Sequence, residues 1–386
     1  MWEDSDRPAR ELWWETTERF AADLDASPDA FLLAALPVAL LGGERRIRVE
    51  GRVCSNLREG LEVVMATYHA WNVALRPLQI EATGEFVSPP PPVRRRTASF
   101  LSGGIDALAL LRANRLEHPP GTPERVHDCL LVFGLNSYDF ADGVPRTDRL
   151  AAFAAHLERM EELAREIEAV AVPLYTNVRT FYPDFVSWAA TGMTQGLIAP
   201  ALGLARRFSD VWLGSDGVQQ NRDPAYLHTL LARYFSTSAV QIRLAQSTLT
   251  RWDKTRLVAD WDAALPYLRT CFYERIPAQG AVNCGSCEKC VRTMLALLSM
   301  GKLREATSFP CDDLAPESLA VLEANNAGQA TAYVQCLRPL RERGRDDLVR
   351  PIERALDRYA RRREWWWRSF ARLRKAAHPL GGSRPG

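Results

Sequence analysis

Ser99-Phe100-Leu101-Ser102-Gly103-Gly104-Ile105-Asp106-Ala107 sets two glycines between an apolar run and a helical pattern. Ala98–Leu101 reads as a strand and Ile105–Arg115 as a helix. Such a turn aims backbone N–H groups and a helix N-terminus at one point, which makes an anion site. The glycines allow close backbone approach, Ser102 adds a hydroxyl donor, and Asp106 stands in the first helical turn, where a carboxylate can hold a metal. In an open parallel sheet, the carboxyl end of a strand is also where ligands bind. A tight turn that needs glycine only for its backbone angles is the plainer account of the same residues. Neither GxGxxG nor GxxxxGK[ST] is present, so dinucleotide and Walker-type readings are weak.

Outward from this turn, strands and helices alternate. Cys129–Phe133, Val170–Tyr175, Val211–Gly214 and Val240–Leu244 are strand-like. Arg146–Ala169 is helical, with Leu150, Phe153, Leu157, Met160, Ala164 and Ile167 at spacings of three and four. Phe185–Phe208 is helical as well. The alternation predicts an α/β fold, a doubly wound parallel sheet covered on both faces. Residues 1–88 form a small N-terminal α+β unit, with strands at Ile47–Glu50 and Leu78–Ala82 around a helix at Leu57–Trp71. Residues 89–97 are a Pro/Arg linker, since Pro89–Pro92 join neither a helix nor a central strand. Residues 98–300 form the α/β domain, and 301–386 a helical, basic extension.

Composition bounds the function. The chain has 386 residues, 49 Lys+Arg, 47 Asp+Glu and 47% hydrophobic residues, which excludes wholesale disorder and fibrous classes. Residues 341–386 hold 14 Lys/Arg against 6 Asp/Glu. The first residues, acidic and aromatic, do not read as a secretory signal. The apolar run Ala30–Leu41, interrupted by Pro37, is too short for a bilayer. A cytoplasmic protein without a transmembrane segment is expected, with thiols or metal-bound cysteines in place of disulfides.

Half of the eight cysteines fall within twenty residues. Cys284-Gly285-Ser286-Cys287-Glu288-Lys289-Cys290 gives C-x2-C-x2-C, and Cys271 lies thirteen positions upstream. Two-residue gaps let thiolates converge on one ion, and a distant fourth ligand closes a tetrahedron. That describes a structural Zn2+ site; an iron–sulfur cluster is the rival, because the same spacing serves ferredoxin-type binding.

Ser102-Gly103-Gly104-Ile105-Asp106 resembles the SGGxDS signature of the PP-loop, or N-type ATP pyrophosphatase, superfamily. The C…C-G-x-C-x2-C knuckle, followed by Arg292 and a helix, resembles that of its 7-cyano-7-deazaguanine synthase branch. The two motifs, in this order and about 180 residues apart, are more specific together than singly. The resemblance covers about residues 95–300. It implies an ATP-dependent adenylating ligase that splits ATP to AMP and pyrophosphate and activates a carboxylate or amide carbonyl for a nitrogen or sulfur nucleophile. It implies that Ser102, Gly103, Gly104, Ile105 and Asp106 cradle ATP, with Asp106 on Mg2+. Gly214, Ser215 and Asp216, after a later strand, would border the adenylate. Arg251 and Lys254 occupy the place of a basic motif that neutralises the leaving pyrophosphate. The last Ser of the signature is Ala107, so a hydroxyl expected at the pyrophosphate is missing.

Asn177 and Arg179, at the end of the third strand, are candidates for a substrate carboxylate or phosphate. The substrate expected is a small-molecule or peptide carboxylate or amide. The helical stripe Ile352, Leu356, Tyr359, Trp366, Phe370 and Leu373 is interrupted by Arg363, with Arg361–Arg363, Arg368, Arg372, Arg374 and Lys375 around it. It suits RNA, an acidic partner or a membrane surface, or a helix docked on its own domain. Two alternatives remain at this point: a tRNA-modifying sulfurtransferase of the same superfamily, and a non-catalytic nucleotide-binding module.

Overall fold

A computed structural model describes residues 8–86, 96–215, 228–271 and 282–377. The chain divides into two compact units, Met1–Leu249 with Asp260–Arg269 and Thr250–Ala259 with Thr270–Gly386.

The first unit is an α/β fold. Its N-terminal part runs β1 (Trp14–Thr16), α1 (Pro28–Gly42), β2 (Arg46–Cys54), α2 (Ser55–Trp71) and β3 (Gln79–Phe86). β4 (Arg96–Phe100), α3 (Ile105–Glu117), β5 (Val126–Phe133), a small β6 (Phe140–Ala141)–β7 (Val144–Pro145) hairpin, α4 (Thr147–Glu166) and β8 (Val170–Thr176) follow. α5 (Met193–Leu202), β9 (Phe208–Gly214) and β10 (Gln241–Ala245) complete it.

β4 has partners on both sides, and Thr97, Ala98 and Ser99 are all fully buried, as a strand in the middle of a covered parallel sheet requires. The main sheet has the order β1-β8-β5-β4-β9-β10. All pairs are parallel except β1 with β8. The five parallel strands thus run outward from β4 to β5 to β8, then return to β9 on the other flank of β4. This order, with a change of direction at β4, is that of a doubly wound sheet, in which the right-handed crossover rule for parallel strands puts the helices of the two halves on opposite faces. The reversal falls between β4 and β9, and the carboxyl ends there border the crevice in which such sheets bind ligands.

Several expectations meet a different local structure. β4 begins at Arg96, so Arg96 and Thr97 of the expected linker are sheet, laddered to Phe208 and Asp210. Residues 89–95 of that linker lie outside the described residues. The helix expected over 185–208 is a short turn at Phe185–Ser187, a π-helical turn at Trp188–Gly192 and then α5, ending before Phe208 opens β9. Phe208 and Val211 are buried in the core, so the chain there serves the sheet. β1 has only three residues and joins the main sheet at β8. Trp14 stacks on Phe31 of α1 at 4.0 Å, and α1 packs on α5. One apolar core joins Leu33 and Leu36 of α1, Leu57 and Leu61 of α2, and Ala98, Val172 and Val211 of the sheet. β2 and β3 form their own parallel pair, bridged by α2.

The second unit is helical: α6 (Arg251–Ala259), α7 (Glu288–Met300), α8 (Ala327–Glu342) and α9 (Asp346–Ala377). α9 docks within this unit: Leu348, Val349, Ile352 and Ala355 are buried, and Arg358 and Arg362 donate to the carbonyls of Leu322 and Ala324. Among the described residues, no helix is long and apolar enough to cross a membrane.

Candidate functional site

The glycine turn lies at the carboxyl end of β4, beside the topological reversal. Gly103 has φ +74, a left-handed conformation that L side chains rarely adopt. Its surroundings are also tight: a Cβ there would meet the Tyr267 carbonyl at 3.2 Å and the Arg269 Cβ at 3.3 Å. Gly104 is the N-cap of α3, in extended conformation and without a side-chain capping bond. Ser102 is exposed, and its Oγ accepts the Gly104 N–H at 3.2 Å. Ile105 is buried and anchors the helix start; Asp106, next to it, is half-buried. Ala107 occupies the following position in the first turn of α3.

The structure brings a second expected segment to this point. Gly214 closes β9, and a Cβ on it would lie 2.9 Å from the Asp106 carbonyl oxygen. Ser215 follows, buried, with its N–H donating to Ala245 at 3.0 Å and so prolonging the β9–β10 ladder. Asp216 lies outside the described residues.

Two residues that the sequence did not single out flank the turn. His156 of α4 approaches the Ser102 carbonyl with Nε2 at 3.2 Å. The main-chain N–H of Arg269 donates to the Gly103 carbonyl at 2.8 Å. A signal for His156 existed: it precedes Met160 by four on the apolar face of α4, where Met160, Leu163 and Ala164 are buried. Arg269 carries no such local signal.

Asn177 and Arg179 stand at the carboxyl end of β8 with their polar groups engaged by the fold. Asn177 accepts the Trp13 N–H at 3.1 Å and donates to the Glu11 carbonyl at 2.8 Å, which fixes the approach to β1. Arg179 is buried, donates to the Tyr182 carbonyl at 2.9 Å and lies 5.8 Å from the Trp188 ring centre; burial lowers its pKa.

In the helical unit, α6 begins with a reciprocal cap. The Asp253 N–H donates to the Thr250 Oγ at 3.0 Å, and the Thr250 N–H donates to the Asp253 carboxylate at 3.1 Å, a capping box. Lys254 is only 1% exposed. Arg251 lines a small cleft with Trp252, Arg292 and Tyr333. Arg292 meets Glu288 at 3.2 Å, and the Tyr333 hydroxyl donates to the same carboxylate at 3.0 Å.

The four cysteines converge in this unit as their spacing predicts. Their sulfurs all lie within 4.8 Å of one another. Cys271 and Cys287 are 3.9 Å apart, and Cys284 and Cys290 3.8 Å. Gly285 makes the knuckle turn with φ +71, and a Cβ there would lie 2.5 Å from the Pro310 ring. The Cys287 N–H donates to the Cys284 sulfur at 3.3 Å, and Thr270 Oγ1 to the Cys290 sulfur at 3.8 Å. Burial would push the Cys284 thiol up, but the N–H groups of Ser286 and Cys287 turned towards its sulfur bring it down to about 6. Asn283, fully buried, braces the cluster from behind. Its oxygen accepts the N–H groups of Thr270 and Cys271 at 2.8 and 3.2 Å, and its amide donates to Ser308 at 3.1 Å. Such a donor set, with N–H groups aimed at sulfur, can hold a metal ion. No protein-family model matches this chain, and neither a curated protein nor a solved structure matches it.

Proposed function

We propose that the chain is an ATP-dependent adenylating enzyme of the PP-loop type, with nucleotide phosphates at the Ser102-Gly103-Gly104 turn. The observation that carries this reading is positional. A turn with the SGGxD pattern stands at the reversal point of a doubly wound sheet, where the N-terminus of the thirteen-residue α3 opens. The dipole and N–H groups of that terminus favour phosphate. Ser102 is exposed and supplies a hydroxyl. Asp106 would hold Mg2+, which supplies charge neutralisation to the phosphates when bound. The substrate's carbonyl oxygen attacks the α-phosphorus, pyrophosphate leaves, and the acyl-adenylate passes its acyl group to a nitrogen or sulfur nucleophile with release of AMP. Ala107 deprives that pyrophosphate of a hydroxyl, which weakens binding by about 1.5–3 kcal/mol.

The ion proposed for the cysteine cluster is Zn2+. Bonds of about 2.3 Å in a tetrahedron give sulfur–sulfur edges of about 3.8 Å, and the two closest pairs lie at 3.8 and 3.9 Å. In an iron–sulfur cube the thiolates sit on separate irons at its corners. Four sulfurs within 4.8 Å leave room for a single ion. With four thiolates and no open position, the site serves the fold.

Turnover of α-labelled ATP with Mg2+ and a small-molecule extract tests the reading. AMP formed by the wild type and abolished in Asp106→Ala, with folding intact, is expected. Undiminished AMP from Asp106→Ala, or ADP as the product, would overturn it. ATP bound tightly and left uncleaved across every plausible co-substrate would point to a nucleotide-sensing module.

A further inference from the structure

His156 is 8% exposed, and its Nε2 lies 3.2 Å from the Ser102 carbonyl oxygen. A carbonyl oxygen only accepts, so Nε2 carries the proton and donates. Burial, reinforced by the charges of Arg269 and Arg159, holds the ring's pKa down to about 3. The imidazole is therefore neutral in the cell, and its Nδ1, a bare acceptor, has no partner among the described residues. Such a ring is too buried and too weakly basic to exchange protons with a substrate near neutral pH.

Its bond has a geometric consequence. The peptide bonds are trans, so each N–H points opposite to the carbonyl of its own peptide. The Ser102 carbonyl faces His156, so the Gly103 N–H is turned the other way. The Gly103 carbonyl is tied to the Arg269 N–H at 2.8 Å, and the Gly104 N–H faces Ser102 Oγ. Both carbonyls of the turn are thereby drawn away from the side on which an anion would meet N–H groups.

We infer that His156 is a positioning residue for anion binding at this turn: its Nε2–H holds the Ser102 carbonyl back, so that the Gly103 N–H and the first N–H groups of α3 can converge on a phosphate. The inference rests on the phosphate-cradle reading above. It adds a residue outside the SGGxD pattern, one that acts through the backbone and never touches the ligand.

Calorimetric titration of the full chain with Mg-ATP, and separately with inorganic pyrophosphate, tests it in the wild type, His156→Leu and His156→Gln. Leucine fills the space and removes the unpartnered Nδ1, so the melting temperature should hold or rise. The Ser102 carbonyl loses its donor, and affinity should fall about tenfold. Glutamine offers an N–H at similar reach and should restore most of that loss. The ratio of wild-type to His156→Leu affinity should stay constant from pH 5 to pH 8, as a ring neutral throughout requires.

Equal affinities for wild type and His156→Leu would overturn the positioning role while leaving the cradle intact. So would losses of affinity and melting temperature in step in both variants. Absence of any ATP or pyrophosphate binding by the wild type would remove the cradle itself, and the inference with it.

Discussion

Gly103 shows how far one residue constrains the proposed site. Its left-handed backbone costs an alanine about 1–2 kcal/mol, and the Tyr267 carbonyl at 3.2 Å leaves the added methyl little room. Gly103→Ala should lower the melting temperature by a few degrees and weaken ATP binding, both read on the same sample; unchanged binding would detach the turn from nucleotide. Asp29, in the first turn of α1, gives a pH prediction of defined sign. Burial pushes its carboxyl up to about 6, opposed by the Cys54 N–H that it accepts at 2.8 Å. In the unfolded chain it ionises near 4. Between these values the folded state holds more protons, so stability falls as pH rises from about 4 to 6 and stays lower above. Asp29→Asn keeps an oxygen for the Cys54 N–H without the charge. It should gain on the order of 2 kcal/mol at pH 8 and nothing below pH 4. Thermal unfolding at the two pH values checks this, and an equal shift at both would refute the burial argument.

Among the elements, the knuckle and the start of α7 depend on a residue outside the cysteine pattern. Asn283 receives the Thr270 and Cys271 N–H groups and holds Ser308. Asn283→Ala would strand buried donors and an acceptor at a cost of about 2–4 kcal/mol. It should also weaken metal binding about 10–100-fold, measured by zinc competition with a chromophoric chelator. Cys287→Ser or chelation should lower the melting temperature of the chain before any other property changes. Zinc absent from the purified protein, or iron in its place, would exclude the assignment. Between these elements, the spacing C-x2-C-x2-C was legible because its chemistry is local. Asn283 was not, because its partners lie twelve, thirteen and twenty-five residues away.

Across the first unit, the two edges of the sheet carry different duties. At the amino edge, Asp128 is fully buried and accepts from Arg96 and Arg207, with Arg207 also held by Asp23 at 2.9 Å. This network ties the beginnings of β4, β5 and β9. At the carboxyl edge stand the glycine turn, Gly214 and Ser215. Asp128→Asn should therefore destabilise by about 2–3 kcal/mol, less than a wholly buried pair because Arg96 is partly exposed. It should leave ATP affinity per folded molecule unchanged. Loss of binding at a temperature where the variant is fully folded would mean that the edges are coupled.

The sequence by itself determined the α/β class, the strand–glycine–helix turn and the convergence of Cys271, Cys284, Cys287 and Cys290, because periodicity, glycine punctuation and ligand spacing are written over a few residues each. Only the tertiary structure decided that β9 returns to the flank of β4, setting Gly214 against Asp106. It also decided that Trp14 belongs to the main sheet, that Asn177 fixes the chain's entry to β1, and that Lys254 is buried. His156 and Arg269 reach the glycine turn from 54 and 166 residues away along the chain. The physical reason is common to all of these: strand order and burial are set by which apolar faces find each other across the whole chain. A histidine on an apolar helix face acquires a role only when folding places a carbonyl within reach of its ring.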